Sequence, residues 1–153
     1  MKLKIFFSWQ MTTDAKYNKY FILDCIKKSV KKLKNKPELK GVEFEIQEGI
    51  SGEPGSVQLA STIMDKRIPN CDIFIADLSI INHSFPDTIP PEIQKTLRET
   101  QKPTPNPNVL LEYGVAYKSI QEERIIGVMN GTLGSLKENQ NFCLLYTSPS
   151  PRD

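Results

Sequence analysis

Four short apolar runs, separated by stretches of helical periodicity, constrain this chain more than any other feature. They are residues 2–7 (KLKIFF), 42–46 (VEFEI), 72–78 (DIFIADL) and 124–129 (RIIGVM). In the third, Ile73, Phe74, Ile75 and Ala76 follow one another without a polar break, as expected of a strand buried on both faces. Between the runs the spacing becomes helical. Ile22, Ile26, Val30 and Leu33 predict a helix over 17–33, with Asp14 as its N-cap and Pro37 beyond its end. Ser56 is expected to cap a second helix carrying Val57, Ala60, Ile63 and Met64 on one face, closed by Pro69. A short helix is expected within 91–100. Asn106 as N-cap and Pro107 at the first helical position predict a longer one through Ser119.

Strands alternating with amphipathic helices imply right-handed βαβ units and a parallel sheet. Two architectures fit: a flavodoxin-like order 2-1-3-4-5, or half of a Rossmann fold. In the flavodoxin-like order the winding reverses between strands one and three, and ligands bind beyond the carboxyl ends there. Those ends carry Ser8, Trp9 and Gln10 on one side and Asp77 and Ser79 on the other. Only four strands are foreseen, so the fifth is expected to be missing.

The length of 153 residues suits one domain. A net charge of +2 is too small to point to nucleic acid, and none is expected as a direct partner. Lys27, Lys28, Lys31, Lys32, Lys34 and Lys36 read as the solvated face of the first helix. No stretch approaches the roughly 18 apolar residues of a membrane span, so no membrane association is expected. Cys25, Cys71 and Cys143 lack metal-ligand spacing and His83 is the only histidine, so no metal site is expected. Isolated thiols suit a reducing, cytoplasmic setting. Residues 143–153 (CLLYTSPSPRD) resemble the translation of a transposase-type sequencing adapter. They are read as non-native, leaving residues 1–142 as a domain truncated at its C-terminal side.

Glu112 is the strongest candidate for chemistry. It is the only charge between Asn106 and Tyr117, three residues after Val109 and four before Ala116. That spacing sets a carboxylate on an apolar face, which is costly without partners. The alternative is a glutamate favoured by the helix dipole. Asp77, ending the strongest strand, can meet a ligand ribose or cap its own turn. Trp9 can stack on a base or lie as a core lid. The loop 49–56, with Gly55 and Ser56 at a helix entry, is a weak anion site; it has neither a Walker A ending nor a GxGxxG fingerprint. His83 stands alone, so no Ser/His/Asp triad is credible.

Taken in order, Ile5-Phe6-Phe7-Ser8-Trp9-Gln10, Gly52-Glu53-Pro54-Gly55-Ser56, Ala76-Asp77-Leu78-Ser79 and Pro105-Asn106-Pro107-Asn108-Val109-Leu110-Leu111-Glu112-Tyr113-Gly114-Val115-Ala116 resemble bacterial TIR-like domains, the predicted nucleotide-binding group of anti-phage effectors. The resemblance covers about residues 2–135. A related helix motif occurs in nucleoside deoxyribosyltransferases. The resemblance implies a flavodoxin-like sheet, NAD glycohydrolase activity with NAD as substrate rather than cofactor, and self-association through the 47–55 loop. Glu112 matches the family's catalytic glutamate. Ser8, Trp9, Gln10, Gly55, Ser56, Asp77 and Asn108 form the expected substrate-binding set. Residues 79–102 look longer than usual, and Tyr113 stands where leucine is common. Two other readings stay open: a non-catalytic nucleotide-binding or TIR–TIR interaction module, and a deoxyribosyltransferase-like enzyme.

Overall fold

The computed structural model describes residues 1–49, 61–81, 88–100 and 104–133. Strand β1 (Lys2–Ser8) lies inside a four-stranded parallel sheet with β2 (Glu43–Glu48), β3 (Ile73–Asp77) and β6 (Ile125–Val128), in the order β2-β1-β3-β6. This is the flavodoxin-like order 2-1-3-4, one of the two architectures that the four apolar runs allow and the one that the resemblance implies. Helix α1 (Lys19–Lys34) connects β1 to β2. A π-helical turn (Thr62–Arg67) precedes β3, closed by the bond from Ile68 N to Ile63 O. Helix α2 (Pro91–Thr100) and helix α3 (Pro107–Ser119) come between β3 and β6.

Alternation along the strands sorts their side chains into two layers. Phe6, Phe74, Ala76 and Leu78 pack with Val109 and Ala116 of α3 and with Ile63 and Ile68. Ile5, Phe7 and Ile75 pack with Leu23, Ile26 and Val30 of α1. Phe6 and Phe74 stand opposite in register, with stacked rings whose centroids are 5.8 Å apart. Both faces of β3 are therefore covered, which is why its run carries no polar residue until Asp77.

Three local readings differ from the sequence expectation. The buried stripe of α1 is Lys19, Leu23, Ile26 and Val30, while Ile22 and Leu33 are only partly covered. Asp14 does not cap α1. It accepts from the backbone of Lys16 in a turn upstream, and α1 begins after Asn18, whose side chain is committed elsewhere. Residues 79–105, whose prolines predict an irregular stretch, contain a short antiparallel ribbon, β4 (Ile80–Ile81) with β5 (Thr104–Pro105). This ribbon ties the exit of β3 to the start of α3. Asn106 caps α3 as expected, accepting from Asn108 N at 2.9 Å. Among the described residues, no helix is long and apolar enough to cross a membrane. The second expected helix lies partly outside the described residues; His83, Cys143 and the 143–153 segment lie wholly outside them.

Phe74 touches β1, α3 and the π-helical turn through one cluster. Phe74→Ala is expected to destabilise the fold by about 3–5 kcal/mol, the usual cost of emptying a buried aromatic site. Urea unfolding followed by far-UV circular dichroism measures this.

Candidate functional site

The C-terminal ends of β1, β3 and β6 meet at a buried polar cluster centred on Asp77, which has no exposure. Asn18 donates from Nδ2 to Oδ1 and Oδ2 of Asp77 at 3.4 and 3.2 Å. The backbone of Ser79 donates to Oδ1 at 3.0 Å, so the carboxylate caps its own turn. Asn130, just beyond β6, donates from Nδ2 to Asn18 Oδ1 at 3.1 Å and from its backbone to Ser79 Oγ at 2.9 Å. Gln10 donates from Nε2 to Ser79 O at 2.9 Å. The carboxylate thus serves as an internal brace for three loops.

Glu112 lies in the α3 layer, half-buried between the buried positions Val109 and Ala116. Burial pushes its carboxyl above the usual glutamate range, and an interaction with the Ser8 hydroxyl opposes this less strongly. Ser8 is fully buried, and its Oγ makes no close hydrogen bond, so the Glu112 interaction is a long one. The structure therefore brings Ser8 and Glu112 to one place at the mouth of β1, with Ser8 in register with Ala76 of β3. Helix α3 is held over that mouth by the bond from Asn106 Nδ2 to Thr12 Oγ1 at 2.8 Å.

The other expected residues separate. Trp9 packs against the α1 layer, on the opposite side of the sheet from α3. The ammonium of Lys19 sits 3.5 Å from its ring centroid and pairs with Glu48 at 3.2 Å. Asn108 is exposed on the first turn of α3. Gly55 and Ser56 lie outside the described residues, as does most of the 47–55 loop. Four buried polar atoms on the β1 exit have no hydrogen-bond partner among the described residues: Ser8 Oγ, Trp9 Nε1, Gln10 Oε1 and Thr13 Oγ1. Such atoms are rare in native interiors and concentrate where a ligand or water completes them. Gln10 Oε1 can only accept and the Trp9 indole can only donate.

Sequence reasoning missed Asn18, Asn130 and Lys19. Asn18 lay inside the expected helix, where an asparagine reads as solvated. Asn130, followed by Gly131, reads as an ordinary turn. Lys19 lies one turn ahead of the expected apolar stripe, where a lysine reads as solvated. No protein-family model, curated protein or solved structure matches this chain.

Because the Glu112 carboxyl is raised in the folded state, folding favours its protonated form. Its burial therefore costs stability above its folded-state pKa, and that cost disappears as the pH falls below the ordinary glutamate value. Glu112→Gln is expected to raise the melting temperature at pH 8, with the gain shrinking toward pH 4. Thermal melts of both proteins across that range measure the difference.

Proposed function

We propose that this domain cleaves the bond between nicotinamide and ribose in NAD, with Glu112 as its catalytic residue. The observation that carries the reading is the raised Glu112 carboxyl beside the buried, unpartnered Ser8 hydroxyl. Both lie at the strand ends where a parallel sheet of this order reverses its winding. The resemblance of the Asn106–Ala116 segment to TIR-like domains supports the same assignment, and a role as an effector in anti-phage defence belongs to it.

Nicotinamide is a good leaving group because its ring is cationic in NAD. The C1′–N bond breaks with its electron pair going to the ring nitrogen, which becomes neutral. Positive charge then develops on the ribosyl carbon and ring oxygen, as in glycoside hydrolysis. A Glu112 carboxylate fixed beside that carbon stabilises the charge, and a partly desolvated position strengthens the effect. Water adds to the ribosyl carbon and releases a proton, giving ADP-ribose. Ser8 holds a ribose hydroxyl or the Glu112 carboxylate, and the Gln10 Oε1 acceptor takes a ligand N–H or O–H. Self-association through the 47–55 loop belongs to the same reading.

Glu112→Gln is expected to lower nicotinamide release by on the order of 10²–10³-fold while the fold is kept, a loss typical of removing a preorganised charge. Chromatographic measurement of nicotinamide at high protein concentration decides this, and undiminished release in the variant would sink the proposal. The ionised carboxylate is the active form, so kcat/KM should fall on acidification at a pH above the ordinary glutamate range. Ser8→Ala removes the interaction that favours ionisation, so that limb should move to still higher pH.

A further inference from the structure

Two adjoining cavities open beyond the C-terminal ends of the strands, the larger one against α1, and neither is lined by Glu112 or Ser8. Their volumes are about 540 and 280 Å³, and both are walled by Tyr17, Asn18, Asn130 and Thr132. The larger alone falls within the roughly 300–1,000 Å³ of small-molecule sites.

The walls have a definite chemistry. Tyr17, just ahead of α1, and Phe21, in its first turn, line the larger cavity and remain 63% and 62% exposed. Two large rings border one hollow, and the Lys16 ammonium lies 5.4 Å from the Tyr17 centroid, so aromatic surface and a cation stand together there. The inner wall is a donor surface. Asn18 is buried and its amide is committed to both oxygens of Asp77, whereas Asn130 spends one amide N–H on Asn18 Oδ1 and keeps a second. Their amide oxygens are occupied, by Asn130 Nδ2 and by the backbone and hydroxyl of Thr132. Thr13, whose buried Oγ1 is unpartnered, lines the smaller cavity. A matching ligand carries acceptors on a ring edge. Lys16 lines the larger cavity and Asp14 the smaller, so an anionic group belongs at the Lys16 end.

We propose that these joined cavities form a second ligand site, separate from Glu112, for a nucleoside monophosphate. Its heteroaromatic base stacks on Tyr17 and Phe21, accepts from the Asn130 amide, and places its phosphate at Lys16. This inference stands independently of the glycohydrolase reading.

Cys25 supplies the test, because its exposed thiol lines the larger cavity. Cys71 is buried, with its thiol pushed up to about 11 by desolvation, so it labels slowly and reports on the integrity of the fold. In a Cys143→Ser background, AMP at about ten times its Kd is expected to slow maleimide labelling of Cys25 by about tenfold. Phe21→Ala and Asn130→Ala should each abolish the slowing while Cys71 stays protected; Glu112→Ala should retain it. Phe21 is exposed, so its truncation leaves the core intact. Adenosine should require at least about tenfold more ligand for the same protection. An unchanged labelling rate in AMP overturns the proposal. So does protection that survives Phe21→Ala, that inorganic phosphate reproduces, that adenosine gives equally well, or that Glu112→Ala removes.

Discussion

A carboxylate cut off from solvent at the end of β3 governs the upper side of this molecule. A polar group withdrawn from water must find its hydrogen bonds inside the protein. Asp77 finds them in the Asn18 amide and the Ser79 backbone. Satisfying Asp77 commits Asn18, which in turn engages Asn130, while Ser79 engages both Asn130 and Gln10. The exits of β1, β3 and β6 and the head of α1 therefore share one set of bonds. A half-satisfied polar network is costly, so its members hold one another in place.

This brace leaves the two sides of the sheet free to differ. On the α3 side, the alternation that sends Phe6 into the core also delivers Ser8 toward Glu112. On the α1 side, the next residue along, Trp9, joins the other cluster beneath Lys19. The two-residue period of a strand separates neighbours in sequence into different layers. A single polar segment thus serves two environments, one acidic and one aromatic.

The same period explains what could be read in advance. Apolar runs mark strands whatever their neighbours, so a parallel α/β sheet followed from four segments, while its strand order stayed open between two architectures. Glu112 was legible because it interrupts an apolar stripe whose ends, Val109 and Ala116, are indeed buried. Trp9 was harder to place, since an aromatic after a strand is equally suited to stacking and to packing. Asn18 and Asn130 are 112 positions apart, and no local pattern announces a bond between them. Lys19 was illegible for a related reason. A lysine in a buried stripe is tolerated only where a ring and a carboxylate happen to receive it, and these come from the exit of β1 and the end of β2.

Trp9 is the sole tryptophan of the chain. Its indole is capped by an ammonium that is itself tethered to Glu48, the last residue of β2. A cation resting on the ring face contributes about 0.5–2 kcal/mol and sets the local field the chromophore feels. A displacement of the β2 end moves Glu48, and through the tether Lys19. The molecule thereby carries its own optical gauge: ultraviolet emission from one indole reports where the second strand ends.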